Sequence, residues 1–505
     1  MLAFAREHTG FKVMRHAIDG IGSDVNTFSM RFLCLASCRQ IDRYASKHEI
    51  WKIFLVSKVI LALLNFQAPS AWADGFRNPF QDSAALGQGT AFIAQADNPS
   101  AIHFNPAAMT QLSGIQHSVG VQFLNPSTKF TSTNGQKVEN DLNGPVGLPP
   151  PGQFFLTVSF QDYDIGWLKN FTLGLGLESL YGFASEWPKD GPFATALTRA
   201  QLPLLDIKPS VAYKLSDWLS VGVGADFFTF APFVGEGHFE QQSIAIGNIP
   251  GTTAGELVEL NGKGTTAGLN ASFLLTLLRN EAQQPLLTLG FIWRSQAVLP
   301  INGRLLANGQ HVADISSSLR FPEIYEGGVA IWPLRNQEKE WKVEVDVHYV
   351  RWQSIRSGDI TLSSGMAIPQ PQKWNNALTV LTGTEWTWLS PDVLPDWEVA
   401  LRTGYIYSES ATTDISFNPS FPDSDLHVVS VGVGFTCKEA GKFFGVLDCT
   451  DSGSGWFTKK AIVLDLGVQT IFYETRNVTG SPVSAFNGTY KSRATGGSLT
   501  VQVNF

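Results

Sequence analysis

From residue 116 to the C-terminus, apolar residues alternate with small or polar ones in segments of about ten or more residues. In Val221-Gly-Val-Gly-Ala-Asp-Phe227, for example, the larger apolar residues occupy every second position, which is the side-chain period of a β-strand. No run reaches the ~18 to 20 uninterrupted apolar residues that a membrane-spanning helix needs. The pattern therefore predicts an all-β chain that crosses a membrane as antiparallel strands.

We count about fourteen such segments, and an even number allows a barrel to close with both chain ends on the same side. An open sheet edge in lipid would leave backbone groups without hydrogen-bond partners, so closure is required. We expect a 14-stranded antiparallel transmembrane β-barrel over residues 116–505. The predicted strands lie within residues 116–125, 153–161, 171–183, 204–215, 219–230, 256–277, 286–305, 312–334, 341–361, 374–389, 397–410, 427–437, 461–478 and 490–505.

The composition agrees with a barrel in a membrane. Charged residues make up 16% of the chain, against about 25% in soluble proteins, so much of the surface faces something other than water. The 47 glycines and 12% aromatic residues suit the turns and interfacial girdles of a large barrel. The net charge of −8 becomes more negative without the first 73 residues, which argues against nucleic acid as a partner.

The alternation also assigns side chains to the two faces of the barrel. In residues 342–349 the valines point outward, which places Glu344, Asp346 and His348 inside, and Arg402 points inward in the same way. The predicted lumen is therefore polar and holds charges of both signs. We expect these charges to pair with one another and with a plug rather than to bind a ligand directly.

The N-terminal part of the chain divides into two segments. Residues 1–73 are predicted to be removed, because a basic-flanked apolar core at 51–66 precedes Ala71-Trp-Ala73, a suitable signal-peptidase site. Residues 74–115 are rich in small residues and contain Asn-Pro steps at Asn98 and Asn105, which exclude a long regular helix. We expect this second segment to fold as a compact plug inside the barrel.

The remaining polar residues indicate no catalytic, metal or cofactor site. Cys437 and Cys449 are the cysteines left in the mature chain, and an even pair in an oxidising compartment is expected to form a disulfide. No Gly-x-Ser-x-Gly motif is present, and the mature histidines show no triad spacing, so the chain is not predicted to be an enzyme. These histidines are His103, His117, His238, His311, His348 and His427.

Several short motifs follow one another at a characteristic spacing over nearly all of the mature chain. They are Leu86-Gly-Gln-Gly-Thr-Ala-Phe92, Asn105-Pro-Ala107, Tyr181-Gly-Phe-Ala-Ser-Glu-Trp187, Lys208-Pro-Ser-Val-Ala-Tyr-Lys-Leu215, Ser220-Val-Gly-Val-Gly224, Trp352, Leu401-Arg-Thr-Gly-Tyr405 and Phe421-Pro-Asp-Ser-Asp-Leu-His427. Together they resemble the FadL-type transporters of long-chain fatty acids and hydrocarbons in Gram-negative outer membranes. The last strand, which ends in Phe505, also resembles the signal that the barrel assembly machinery recognises.

The resemblance implies a monomeric 14-stranded barrel in the outer membrane, surrounded by membrane lipid and lipopolysaccharide. It implies energy-independent uptake of a hydrophobic small molecule, most plainly a long-chain fatty acid. In such proteins an N-terminal hatch blocks the lumen, and its motif here is Asn105, Pro106 and Ala107. Release in the family involves movement of the hatch and a kinked third strand, for which the candidate positions are Gly174, Gly176 and Gly182.

Two further sets of residues are candidates for contact with substrate. The connection around residues 230–249 is unusually apolar, and the corresponding loop of the family helps to form an outer capture groove. Its proposed groove residues are Phe230, Phe233, Phe239, Ile244 and Ile246. The inward basic residues that could meet a carboxylate are Lys208, Arg294 and Arg402. The family's second capture loop, between the seventh and eighth strands, is expected to be short here, around residues 306–311.

Two alternatives stay open at this point. None of the three basic residues can be matched to a carboxylate ligand of the family, so an uptake channel for neutral aromatic hydrocarbons remains an alternative to the fatty-acid transporter. A non-specific porin would need an open lumen, which the Asn-Pro-Ala plug argues against. The length and saturation of the substrate are not encoded in the alternation.

Overall fold

A computed structural model describes residues 75–140, 146–147, 152–161, 166–230, 237–438, 441–451 and 458–505. The predicted signal segment at 1–73 and the candidate groove residue Phe233 lie outside the described residues. Among the residues that are described, no helix is both long enough and apolar enough to cross a membrane.

Fourteen of the described strands form a closed antiparallel barrel, as predicted. Each pairs with the next in chain order, and the last pairs with the first along its whole length, from Gln116 opposite Asn504 to Ser132 opposite Gly488. The strands are β1 Ile115–Ser132, β2 Gln153–Ser159, β3 Phe171–Glu178, β4 Arg199–Lys214, β5 Leu219–Phe230, β6 Thr266–Arg279, β7 Pro285–Arg294, β8 Ile324–Arg335, β9 Lys339–Val350, β10 Ala377–Trp388, β11 Trp397–Ser408, β12 Leu426–Lys438, β13 Ala461–Tyr473 and β14 Gly488–Asn504.

The two faces of the barrel follow the alternation of the sequence. Val223 and Phe227 are exposed on the outer face of β5, whereas Asp226 between them is buried. Glu344, Asp346 and His348 of β9 are buried inside, as expected. The outer face is apolar because it meets lipid, and the inner face carries the polar groups that bond to the segment in the lumen.

Most of the other strands extend the connections at the end of the barrel opposite to Ile115 and Asn504, where the first barrel strand begins and the last one ends. Bacterial barrels have long connections outside the cell and short turns in the periplasm, so this end is extracellular. These additional strands are Lys137–Glu139, Val146–Gly147, Gly182–Glu186, Phe239–Ile244, Leu257–Lys263, Ala297–Ala307, Gln310–Phe321, Ile360–Leu362, Ala367–Ile368 and Arg476–Val478, with Lys442–Phe443 and Leu447–Asp448 at the periplasmic end.

The structure corrects one expectation about these connections. The connection between β7 and β8 is not short, because it contains the long hairpin Ala297–Ala307 and Gln310–Phe321. Only the turn of that hairpin lies at residues 308–309. Each of the predicted strands at 286–305 and 312–334 combined two observed strands, one from the barrel and one from the hairpin. The two could not be distinguished because the barrel strand and the hairpin strand have the same period of two.

The segment at 75–114, which we call the hatch segment, has only short helices. They are α1 (Ser83–Gly87), α2 (Ala101–Phe104) and the 3-10 helix Pro106–Gln111. Outside the hatch segment, 3-10 turns lie at Gly166–Asn170, Trp352–Ser354 and Ser484–Phe486. Asp82 caps α1 by accepting a hydrogen bond from the Ala85 N–H at 3.0 Å. The predicted disulfide is also present, with the Cα atoms of Cys437 and Cys449 5.7 Å apart.

Candidate functional site

The Asn-Pro-Ala motif fixes the hatch segment to the inner wall. Asn105 caps the 3-10 helix by accepting from the Ala107 N–H at 3.2 Å. Its side-chain amide donates to the Ile93 carbonyl at 2.9 Å and to the Phe273 carbonyl of β6 at 3.1 Å. The Ala107 N–H also donates to the Ser272 hydroxyl of β6 at 2.9 Å. A single asparagine therefore ties two parts of the hatch segment to the barrel.

Glycines of the wall let the hatch backbone approach closely. A Cβ at Gly222 would overlap the backbone of Pro106 and Ala107, and a Cβ at Gly404 would overlap Gln88 and Gly89. Neither position could hold a larger residue without moving the hatch segment or the strand.

Two carboxylates of β9 hold the turn at residues 92–95. Asp346 accepts from the Phe92 and Ile93 N–H groups at 2.8 and 3.1 Å. Glu344 accepts from the Ala94 N–H at 2.7 Å and the Gln95 N–H at 3.3 Å. The expectation that inward charges pair with the plug is thus confirmed for these two residues.

The basic residues considered for substrate binding are all occupied by protein carboxylates. Lys208 contacts Asp226, Asp206 at 2.8 Å and Glu178 at 3.1 Å. Arg294 contacts Asp226 at 3.3 Å and Glu326 at 3.6 Å, and it also donates to the His103 carbonyl of the hatch segment. The contacts of Arg402 are with Glu385 and Asp465, both at 2.5 Å. These contacts weaken the prediction that the three cations bind a carboxylate ligand.

An outer cavity of about 160 Å³ lies among the extracellular connections. Its apolar lining includes Phe239, Ile301, Ile315 and Ile360, so the hairpin between β7 and β8 supplies part of the wall. Of the predicted groove residues, Phe239 lines this cavity. Phe230 is buried in the aromatic core below it, and Ile244 and Ile246 lie farther along the connection, where Ile246 is 60% exposed.

An inner cavity of about 210 Å³ lies in the lumen and is lined in part by residues 75–80 at the start of the hatch segment. Apolar side chains from the hatch segment, β1 and β10 to β13 make up much of its lining, including Phe80, Leu124, Leu381, Ile406 and Ile471. Its polar lining comes from several elements and includes Arg77, Gln122, His348, Gln469 and Asp423, together with Thr379 and Ser408, whose hydroxyl groups are 2.7 Å apart. None of Lys208, Arg294 and Arg402 lines either cavity.

Three phenylalanines separate the two cavities and line both of them. The ring of Phe76, from the start of the hatch segment, lies 5.6 Å from Phe421 and 6.1 Å from Phe183, and Phe183 lies 5.2 Å from Phe421. Phe76 also contacts Trp352 at 5.0 Å. We call Phe76, Phe183 and Phe421 the aromatic constriction. The sequence motifs contain Phe183 and Phe421, but nothing in them indicates that Phe76 joins the pair.

The third strand is broken at Ser179–Tyr181, beside the constriction. Glu178 is paired with Asp206 and Gly182 with Pro203, so four steps on the third strand oppose three on β4. This extra residue is a bulge. Gly182 borders the break, whereas Gly174 and Gly176 lie in the regular part of β3 and leave room for Ile102 of the hatch segment. The third strand therefore has a bulge next to Gly182, and the other two candidate kink glycines lie away from it.

The start of the hatch segment bonds to the broken part of the third strand. The Asn78 N–H donates to the Leu180 carbonyl at 2.7 Å, and the Gly182 N–H donates to the Phe76 carbonyl at 3.2 Å. Gln81 donates to the Ser179 carbonyl at 2.8 Å. In the described residues β3 pairs with β2 only as far as Leu177. The hatch segment thus satisfies backbone groups that a regular barrel would pair between strands.

Comparison with known proteins identifies relatives over most of the chain. Residues 64–442 match the model of a family described as outer membrane protein transport protein (OMPP1/FadL/TodX). The long-chain fatty acid transport protein of Escherichia coli strain K12 is 23% identical over 431 residues, covering 77% of this chain and 90% of that protein.

Solved structures share the fold. A FadL homologue of Pseudomonas aeruginosa matches with a TM-score of 0.63 at 17% identity, covering 86% of this chain and 100% of that one. The toluene transporter TbuX of Ralstonia pickettii matches with a TM-score of 0.55 at 15% identity, covering 84% of this chain and 98% of that one. At such identities the likeness establishes the fold alone.

Proposed function

This chain belongs to the outer membrane protein transport protein family (OMPP1/FadL/TodX), and we propose that it takes up long-chain fatty acids through its barrel. The family consists of transport channels of Gram-negative outer membranes rather than enzymes, so transport of hydrophobic substrates is the premise. The proposal concerns the substrate, its path and its release.

The observation that carries the proposal is the pair of cavities that meet at the aromatic constriction. Burial of each methylene group away from water stabilises a hydrophobic molecule by about 0.8 kcal/mol. A water-filled pore provides no such burial, so it offers a hydrophobic molecule no favourable path. The outer cavity offers that burial at the extracellular end, and the inner cavity offers it again in the lumen. Rotation of Phe421 or Phe183, or withdrawal of Phe76, joins the two into a path.

The fatty acid is favoured over other hydrophobic substrates by the relatives in sequence. The proteins that match over nearly their whole length are named long-chain fatty acid transport proteins. The inner cavity also has a lining that suits an amphipathic ligand, since apolar side chains make up much of it and polar side chains are present among them. We propose that the carboxyl group lies against Thr379 and Ser408, whose hydroxyl groups are 2.7 Å apart.

A neutral hydrocarbon is the second candidate, and one specific observation favours it. Each of the three candidate cations already has carboxylate partners and none lines the inner or the outer cavity, and Arg77, which does line the inner cavity, is paired with Glu326. Breaking a buried ion pair by withdrawing one partner costs about 3 to 5 kcal/mol, so a fatty-acid carboxylate has no ready cation to bind. The two candidates therefore differ in whether a charged headgroup is recognised.

Binding to the purified protein separates these candidates. We would titrate the detergent-solubilised protein with a long-chain fatty acid, its methyl ester and toluene. Saturable binding of the acid, with the ester weaker, supports the fatty-acid proposal. Binding of the ester and toluene without the acid refutes it and favours the neutral substrate.

The constriction is tested with a matched pair of variants. Phe421→Ala should weaken fatty-acid binding roughly tenfold, because it removes an aromatic wall shared by both cavities. Phe227→Ala removes a ring of the same size from the lipid-facing surface of β5 and should leave binding unchanged. Equal affinities for the two variants would contradict a path through the constriction.

We further propose that the ligand leaves through the gap beside the broken third strand. The inner cavity is lined by Phe123 of β1 and by Gly182 and Ala184 of the third strand, which are the two sides of the place where β2 ends. Withdrawal of the start of the hatch segment would free the break and open the cavity sideways.

A reversible tether tests this route. Arg77 and Tyr181 form a β-bridge, and neighbouring Cα atoms across an antiparallel pair lie about 4.5 to 5.5 Å apart, within reach of a disulfide. Cells carrying Arg77→Cys with Tyr181→Cys should lose uptake when the pair is oxidised and regain it on reduction. The reduced protein is its own control, and uptake that persists in the cross-linked form would exclude movement at this bridge.

A further inference from the structure

A disulfide-braced hairpin projects from the periplasmic end of the barrel. It lies in the connection between β12 and β13 and consists of the strands Lys442–Phe443 and Leu447–Asp448. The disulfide joins Cys449, just after the hairpin, to Cys437 at the end of β12. Transport through the lumen assigns no role to this element, because it lies at the rim and outside the path.

The hairpin packs on the outward side of the barrel. Side chains an even number of residues apart on a strand point to the same face. Trp397 therefore points outward like the exposed Leu401, and Cys437 points outward like the exposed Val431. The ring of Phe443 stacks on Trp397, with centroids 6.1 Å apart and an interplanar angle of 23°. Cys437, Cys449 and Ile462 form one buried cluster with these rings. The hairpin is therefore continuous with the lipid-facing surface.

The tip of the hairpin is apolar and protrudes. Phe444 is 79% exposed, Val446 86% and Leu447 52%. Phe444 also has a positive φ of 50°, a conformation that a bulky residue rarely adopts. An exposed turn in water would favour asparagine or glycine at that position, so the sequence retains a phenylalanine against local preference.

The charges of the hairpin lie at its base. Lys442 and Asp448 pair with each other at 2.7 Å, and residues 443–447 between them are uncharged. A neighbouring turn also presents an aliphatic side chain, since Val393 is 89% exposed and the Asp396 carbonyl of the same turn accepts from the Lys438 N–H at 3.0 Å. Two adjacent connections at the periplasmic end thus expose apolar side chains.

We propose that this hairpin is a membrane-contact site whose tip, Phe444 to Leu447, inserts into the phospholipid of the periplasmic leaflet. Apolar and aromatic side chains at the headgroup boundary bind lipid by burying their surface a few ångströms into it, about 5 to 10 Å for a helix face. The disulfide holds the tip at a fixed position relative to the strand ends. The contact anchors the periplasmic rim at a set depth in the bilayer.

Site-directed labelling tests the proposal in the intact chain. Phe444→Cys and Val446→Cys would each be labelled with the fluorophore NBD under non-reducing conditions, so that Cys437 and Cys449 stay paired. The labelled proteins would be placed in phospholipid nanodiscs with and without spin-labelled lipid. Leu401→Cys on the lipid face is the positive control, and Ser364→Cys in an extracellular turn is the negative control.

Insertion predicts that spin-labelled lipid quenches the label at positions 444 and 446 roughly twofold or more, as at position 401 and unlike position 364. Emission equal to that of position 364, with full access to iodide, would overturn the proposal. A label shielded from iodide but not quenched by the lipid would also overturn it, because a protein would then cover the tip. Heat-modifiable migration in gels verifies that each variant is a folded barrel.

Discussion

Replacement of Asp346 tests how the hatch segment is held in the lumen. The carboxylate of Asp346 is fully buried and accepts from two backbone N–H groups, those of Phe92 and Ile93. The Asp346→Ala variant leaves both donors buried without a partner, and each unsatisfied donor costs about 1 to 3 kcal/mol. Loss of the buried charge offsets part of this cost, so we expect a net loss of about 3 kcal/mol.

That loss corresponds to a roughly 100-fold increase in local opening of the turn. Asp346→Asn retains an oxygen that can accept the same bonds, but it loses the charge assistance and places an amide donor at the buried Oδ1 position, which has no partner, so we expect about 2 kcal/mol and roughly a thirtyfold increase. The turn should therefore open most often in Asp346→Ala, less often in Asp346→Asn and least often in the wild-type protein.

Hydrogen–deuterium exchange of peptides covering residues 92–96 measures this opening in detergent or nanodiscs. Asp392→Ala, in an exposed turn between β10 and β11, removes a carboxylate without touching the hatch segment and should exchange like wild type. If Asp346→Ala exchanged at the wild-type rate in a folded barrel, the carboxylate would not hold the turn. The hatch segment would then be retained by its other contacts.

Three further predictions follow from the same contacts. Asn105→Ala removes the bonds to Ile93 and Phe273 and should raise the conductance of the protein in planar bilayers to small ions. Gly404→Ala places a methyl group against the hatch backbone and should lower the melting temperature, whereas Gly497→Ala, whose nearest neighbour would lie at 3.7 Å, should not. Burial raises the pKa of Asp423 to about 7, so the protonated form is favoured in the folded connection at 409–425 and stability is lost as the pH rises through that value. From about pH 5 to about pH 8, exchange of this connection, corrected for intrinsic rates, should increase roughly a hundredfold in wild type and stay constant in Asp423→Asn.

The barrel could be predicted from the sequence because its signal is local. Alternation with a period of two is set by each strand alone, so the inward positions of Glu344 and Arg402 followed without knowledge of any neighbour. The same locality explains the errors at 286–305 and 312–334, where an extracellular strand continues the alternation of a membrane strand. The sequence contains no mark of the membrane boundary there.

The site was less predictable because its groups come from distant parts of the chain. The inward direction of Lys208 was evident, but its partner Asp226 lies on the next strand and Glu178 on the previous one. The break in the third strand depends on Asn78, about a hundred residues earlier in the chain, which bonds to Leu180. Periodicity carries no information about such contacts, so candidate cations and kink glycines could be proposed only by resemblance.

The hatch segment is attached in two different ways, which predicts how it moves. Residues 75–81 bond to the broken third strand through Phe76, Asn78 and Gln81, and one buried ion pair joins Arg77 to Glu326 of β8. The later residues are tied to β6 and β9 by buried polar groups, which include four N–H bonds to the carboxylates of Glu344 and Asp346. A backbone hydrogen bond contributes about 1 kcal/mol, and one to a charged group about 1.5 to 3, so the first attachment, with fewer charged contacts, is the weaker one. Ligand in the inner cavity should therefore release residues 75–81 alone. Exchange measured with and without fatty acid should rise at residues 76–82 and 179–182 while residues 92–96 stay protected. Joint loss of protection in both regions would mean that the hatch segment moves as one body.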